Sequence, residues 1–392
     1  MSEFKLDFQD IETAFADKSN AELKEKYRLF KMMNSPGLVS FGTKMTQFAL
    51  SWGLPVSGLI KSTIFHQFCG GETIEECQRT IDKLGGSNIG TILDYSVEGK
   101  TEEEDFENTK DEIIKTIKRA HEEKYIPFAV FKVSGIAPLG TLQKVSAGTE
   151  LTEKGKWKWE RIQSRVADLC QYAHSLDQPL FIDAEETWIQ KAIDLMVEPA
   201  MEKYNQERPL IYTTIQMYRT DGMDILRESH RKALEKGYYY AVKLVRGAYM
   251  EKERARAEEM GYPSPIQPDK PATDQNYDAA VAYCLENIDT IAVVNATHNE
   301  QSTQQMAQLM EKKKIPRDHP NANFSQLFGM SDNLTYVLAK NGYNVSKYVP
   351  YGPVKSAVPY LSRRATENTS VRGMMSRELE MIYRELKRRK SL

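Results

Sequence analysis

The stretches LIYTTIQMY (210–218) and YYAVKLVRGA (239–248) decide the fold. Each is a short, nearly continuous run of β-branched and aromatic residues, the pattern of a strand buried on both faces rather than the alternation of a half-exposed one. Working outward, similar runs are IGTILDYS (89–96), FAVFKVSG (128–135), LFIDAE (180–185), TIAVVNATH (290–298), NFSQLFGM (323–330) and VSKYVPYG (345–352), which makes eight. Amphipathic segments such as EDFENTKDEIIKTIKRAHEE, RIQSRVADLCQYAHSL and TQQMAQLMEKKK separate most of them. Buried strands alternating with amphipathic helices form a parallel sheet covered on its outer face, and eight such units close a (β/α)8 barrel. A doubly wound open sheet is the alternative. It usually shows a glycine-rich first turn, and no GxGxxG follows any strand here.

The flanks read differently. Residues 1–85, with AELKEKYRLFKMM and SFGTKMTQFALSW, have helical apolar spacing and form an N-terminal helical arm. The barrel then occupies 86–370, and 371–392 is a C-terminal helix, charged, amphipathic and ending in Lys and Arg that complement its dipole. The four prolines of GYPSPIQPDKPATD (261–274) make that stretch a loop interrupting the fifth βα unit.

With 392 residues, 41% hydrophobic and 28% charged, the chain can bury a large core. Its net charge of −2 provides no basic field for nucleic acid. The four cysteines form no CxxC pair, which suits a reducing compartment. The acidic start MSEFKLDFQDIETAFADKSN lacks the unbroken apolar run of a secretory signal, and no stretch approaches the ~18 apolar residues of a membrane span. These features describe a cytoplasmic protein, or one peripheral to the inner membrane.

The active site of a (β/α)8 barrel forms at the C-terminal ends of its strands. There the sequence places Lys132, then Asp183, Glu185 and Glu186, then Gln216 and Tyr218, then Lys243, Arg246, Gly247, Ala248 and Tyr249, then Thr297, His298 and Asn299, and finally Tyr348. One such residue is most simply a salt bridge or a helix cap; ionisable groups at most strand ends form a converging polar ring. After strand eight comes PYLSRRATEN (359–368), with Pro359 suited to a first helical turn. Tyr360, Arg363, Arg364 and Glu367 then share one face. By spacing alone that is a solvated face with an Arg–Glu pair. Its place at the barrel mouth makes the two arginines a site for a carboxylate or phosphate. His298 is the only strand-end histidine, so a zinc-hydrolase cluster is not available and no metal is expected. Lys132 could form a Schiff base with its pKa lowered by neighbouring cations, or could be a third cation for the substrate anion; the residues leave both open.

The blocks FKVSG, FIDAEET, TIQMYRTD, KLVRGAYMEKERARA, NATHN, QLFGM and KYVPYGPVKSAVPYLSRRATEN together resemble the proline dehydrogenase family of FAD enzymes, from about residue 65 to 370. The resemblance implies a distorted TIM-type barrel with FAD over the strand ends. It also implies oxidation of L-proline to Δ1-pyrroline-5-carboxylate, with hydride passing from the ring C5 to flavin N5 and electrons leaving to a quinone-type acceptor at a membrane surface. In this likeness Arg363 and Arg364 grip the proline carboxylate, Lys132 completes the clamp and Asp183 supports it. Tyr348, Tyr360 and Leu327 pack around the proline ring, and Glu367 braces the arginine helix. Gln216, Lys243, Arg246, Gly247, Ala248, Thr297, His298 and Asn299 match flavin-contacting positions. Glu98 is the candidate for an acidic gate after strand one. A bulky Tyr348 favours proline over hydroxyproline. No aldehyde dehydrogenase module or DNA-binding segment is present, so the likeness is to the monofunctional form. A Schiff-base lyase using Lys132 and a non-enzymatic proline sensor are the competing readings.

Overall fold

The computed structural model describes residues 4–33, 64–96, 101–357, 360–361 and 372–391, with side chains from residue 376 in the last segment. All eight expected strands form: β1 (Gly90–Tyr95), β2 (Ala129–Phe131), β3 (Leu180–Ile182), β4 (Ile211–Gln216), β5 (Tyr240–Val245), β6 (Ile291–Ala296), β7 (Ala322–Leu327) and β8 (Val345–Tyr351). They make one parallel sheet in the order β1-β8-β7-β6-β5-β4-β3-β2. β1 and β2 lie side by side, and Thr91 N donates to Tyr125 O just before β2, so the barrel is nearly closed. Strands buried on both faces need helices outside them, and these follow in turn, from Glu103–Glu122 to Asp332–Lys340.

Inside the barrel floor Phe128 stacks on Phe181 at 4.4 Å, and Tyr212 meets both edge-on. This aromatic plug, rather than a pore, lies beneath the mouth. The loop expected over 261–274 ends earlier: a helix starts at Lys270, capped by Asp269, whose carboxylate accepts from Ala272 N at 2.8 Å. Pro271 falls in its first turn, where a missing N–H costs nothing, so the fourth proline starts a helix rather than prolonging the loop.

The arm and the C-terminal helix Arg372–Arg388 build a second apolar core of their own. Phe15, Leu23, Phe30, Phe65 and Phe68 pack with Met381, Ile382 and Leu386. The apolar face of the C-terminal helix is thus covered by the arm, and Arg389 donates to Phe15 O at 2.8 Å and Lys18 O at 2.6 Å. Met330, at the β7 end, belongs to this second core and couples it to the barrel. Among the described residues no helix is long and apolar enough to cross a membrane.

Candidate active site

Five strand ends converge on Asp183. Its carboxylate, buried beyond β3, accepts from Lys243 Nζ on β5 and from Tyr348 OH on β8 at 2.8 Å, with Lys132 Nζ at 3.3 Å. Lys132 in turn donates to Asp94 at the end of β1 (3.0 Å) and to Tyr348 OH (2.9 Å). Burial alone would raise the Asp183 carboxyl, but Lys243, Lys132 and the hydrogen bonds outweigh it and hold the group at about 2. Burial, then the carboxylates of Asp183 and Asp94, push the Tyr348 phenol well above its ordinary value. Tyr348 is therefore a neutral hydroxyl that donates to Asp183 and accepts from Lys132. Both ammoniums also lie near the face of its ring, at 5.4 Å and 5.1 Å from the centroid. Two carboxylates and two ammoniums leave this knot without net charge. Among the described residues Lys132 pairs with the carboxylates of Asp94 and Asp183, and Lys243, one of the cations expected near it, shares Asp183.

Asp94 is a member that sequence reading missed. A lone carboxylate at the end of an otherwise apolar ILDY run was its available signal. Ser96 Oγ donates to it at 2.5 Å. Glu185, two residues past Asp183, behaves oppositely: burial dominates and raises it to about 7, although Ser134 N (2.9 Å) and Ser134 Oγ both donate to it. It ties the turn Val133–Gly135, immediately after Lys132, to the end of β3.

The β4–β6 side of the mouth is built from neutral acceptors and one ion pair. The Gln216 amide donates to Glu185 O at 2.7 Å and accepts from Ala248 N at 3.2 Å, which spans three strand ends. Arg246 donates to Asp274 (2.6 Å), Thr297 Oγ1 (2.6 Å) and Ser302 Oγ (2.9 Å). Gly247, at φ +137°, has backbone that a side chain cannot replace, because a Cβ there would fall 2.5 Å from the Tyr218 ring. Asn299 caps the helix Glu300–Lys313 through Ser302 N at 3.1 Å, and Asn299 N donates to Thr297 Oγ1 at 3.0 Å. His298 Nδ1 lies 2.9 Å from Ser331 Oγ. Leu327 ends β7 beside Tyr348 on β8, its register partner.

Tyr360 is buried and shares a recess with Lys132, Tyr95 and Ser134, which brings the segment after β8 over the mouth. Arg363, Arg364, Glu367 and Glu98 lie outside the described residues. The structure thus brings Lys132, Asp183, Tyr348 and Lys243 into one knot with Tyr360 and Leu327 beside it, and places Gln216, Arg246, Gly247, Ala248, Thr297, His298 and Asn299 along the adjoining β4–β6 rim. Among the described residues no group of three or more His, Cys, Asp or Glu could hold a metal ion. The donor set does fit a large polar, anionic cofactor. Lys243 and Arg246 are fixed cations, and Gln216, Thr297 and Asn299 add neutral polar groups along the same rim.

The family model for proline dehydrogenase matches residues 77–377. The chain is 34% identical over 333 residues to the carbapenem antibiotics biosynthesis protein CarD of Pectobacterium carotovorum subsp. carotovorum, covering 85% of this chain and 86% of that one. It is 31% identical over 431 residues to the mitochondrial proline dehydrogenase 1 of Dictyostelium discoideum, covering 98% and 75%. Proline utilization A from Bdellovibrio bacteriovorus shares the fold at a TM-score of 0.72 and 20% identity, over 92% of this chain. The chain spans 38% of the length of that longer protein.

Proposed function

Since the chain belongs to the proline dehydrogenase family, we propose that it oxidises L-proline to Δ1-pyrroline-5-carboxylate with FAD. The observation that carries this reading is the neutral knot on Asp183. A barrel mouth prepared for a zwitterionic amino acid needs ordered cations whose charge is countered until the substrate carboxylate arrives, and Lys132 is such a cation.

In this reading Arg363 and Arg364 clamp the carboxylate with Lys132, and Glu367 braces the pair. Asp183 holds Lys132 from below, so the ammonium enters the clamp already oriented. Tyr348, fixed by two hydrogen bonds, Leu327 and Tyr360 wall the pyrrolidine ring and exclude water. Gln216, Lys243, Arg246, Gly247, Ala248, Thr297, His298 and Asn299 would hold FAD. When bound, the flavin supplies at N5 the acceptor for the hydride leaving proline C5. The fixed charges of Lys243 and Arg246 favour added electron density beside them. Asp183, already accepting three donors, is not a base for the substrate nitrogen; solvent takes that proton. A quinone-type acceptor at a membrane surface would receive the electrons, a part of the reading that rests on the family resemblance. The protein would then be cytoplasmic, working against the inner membrane.

Anaerobic titration of the purified protein with L-proline tests the proposal. The expected result is a yellow protein whose flavin bands bleach on addition of proline. A colourless protein, or a flavin that stays oxidised under excess proline, sinks it.

A further inference from the structure

The loop after β7 is held from four directions, and the reason is not its own stability. Residues 329–332 carry two left-handed positions in succession with one residue between: Gly329 at φ +81° and Ser331 at φ +51°. The second is unusual for a residue with a Cβ and persists only where surroundings dictate it. Those surroundings are explicit. Gln67 Nε2 donates to Gly329 O at 2.7 Å and Lys347 Nζ to Met330 O at 2.5 Å. Ser331 N donates to Glu378 Oε1 at 2.6 Å, and Asp332 accepts Lys26 at 2.8 Å and Lys347 at 3.0 Å. Lys26, Asp332, Lys347 and Glu378 are all at most 5% exposed, two cations and two carboxylates in a closed cluster. Burial raises the Glu378 carboxyl; Lys26 and Lys347 oppose that.

What the enforced turn delivers is Ser331 Oγ at 2.9 Å from His298 Nδ1. The other ring nitrogen, Nε2, faces the N–H of Leu327 at 3.4 Å, a long contact but one from a group that can only donate. A neutral imidazole has one N–H and one lone pair. Nε2 must then be the acceptor, and Nδ1–H donates to Ser331 Oγ. Lys26 and Glu378 both lie outside the family-matched stretch 77–377.

We propose that Glu378 and Ser331 are positioning residues that hold the His298 ring at the barrel mouth by placing Ser331 Oγ to accept its Nδ1–H, which makes the C-terminal helix part of the catalytic unit. The catalytic consequence rests on the reading that His298 borders the flavin; the tautomer does not. The experiment is long-range proton–nitrogen NMR on full-length, flavin-loaded protein labelled at its six histidines, with His298→Gln identifying the signal. Wild type is expected to show Nδ1–H. Ser331→Ala and Glu378→Ala are expected to leave Nδ1–H without its acceptor, shifting its proton and nitrogen signals and speeding its exchange with water, and to weaken FAD binding and kcat/KM for proline about tenfold, as misplaced mouth groups do. Glu378→Gln, which keeps an acceptor for Ser331 N, keeps the wild-type Nδ1–H signal. Should Glu378→Ala fail to fold, Ser331→Ala and Glu378→Gln decide, because neither removes the acceptor for Ser331 N. An Nε2–H or doubly protonated wild type, an Nδ1–H signal unchanged in Ser331→Ala, or one displaced in Glu378→Gln overturns the proposal. Wild-type flavin that proline does not bleach sinks the proline reading and leaves the tautomer result standing.

Discussion

Two buried ionic clusters sit back to back across β8, and adjacent residues join them: Tyr348 points into the barrel and Lys347 out of it. The inner cluster pairs Asp94 and Asp183 with Lys132 and Lys243, and the outer one pairs Asp332 and Glu378 with Lys26 and Lys347. Their compositions match, and their surroundings do not. The Lys132 side chain in the inner cluster is 24% exposed and opens toward the mouth, whereas every member of the outer cluster is closed off. Charge that can meet solvent can meet a substrate; charge sealed between two cores can only fix geometry. On the proposed function, the same chemistry would serve recognition in one place and assembly in the other.

If that contrast is right, the outer cluster should be the more costly to break. Asp332 is its hub, held far below the usual carboxylate range by Lys26 and Lys347 against burial. Asp332→Ala leaves two buried lysines with Glu378 as the one remaining carboxylate of the cluster, and breaking a buried pair in this way typically costs about 3–5 kcal/mol. Chemical denaturation of the full chain should show that loss. A drop of less than about 1 kcal/mol, within the range of exposed pairs, would mean the cluster is solvated and the contrast false.

The inner cluster should answer in activity and in acid. Asp183→Asn keeps the shape but loses the charge that aligns Lys132 and Lys243, and kcat/KM for proline should fall about a hundredfold, as for a misaligned site. Its pH signature has a fixed sign. Asp183 lies at about 2 against an ordinary 3.8, so its stabilisation is present above pH 3.8 and is lost as pH falls toward 2, roughly 2 kcal/mol in all. Glu185, raised from 4.5 to about 7, does the reverse: stability is greatest below pH 4.5 and declines as pH rises to 7. Denaturation midpoints across that range should therefore separate the variants. Asp183→Asn should flatten the acid limb, and Glu185→Gln the limb between pH 4.5 and 7.

Much of this was legible beforehand because it is local. Eight apolar runs gave eight strands, and strand-end residues such as Lys132, Asp183 and Lys243 followed from position alone. What was not legible is pairing. Lys26 and Asp332 are 306 positions apart, and Lys132 reaches Asp94 across 38. A lysine in an amphipathic helix, as Lys26 is, reads as solvated until the fold sets a carboxylate against it. Lys132 was read as one of several cations for the same reason: sequence shows which charges exist near a mouth, not which neutralise each other. The loop after β7 was named for Leu327, while Ser331, which carries no signal as a polar residue in a turn, had none to give.

Tyr348 offers the smallest and most specific test of the boundary between the clusters. Its hydroxyl donates to Asp183 and accepts from Lys132, so it can relocate only by breaking both bonds. A ring so fixed beside the proposed proline site should reject a 4-hydroxyl by steric contact. Tyr348→Ser removes that wall, and the ratio of kcat/KM for proline to that for 4-hydroxyproline should fall about tenfold, the worth of a methylene-scale pocket change. Tyr348→Phe keeps the wall while deleting the hydroxyl. It should lower kcat/KM for both substrates by a similar few-fold factor, about the worth of one net hydrogen bond, and leave the ratio alone. Equal ratios in wild type and Tyr348→Ser would remove the ring from specificity. A ratio shifted by Tyr348→Phe would instead assign specificity to the hydroxyl, and through it to the ionic cluster rather than to shape.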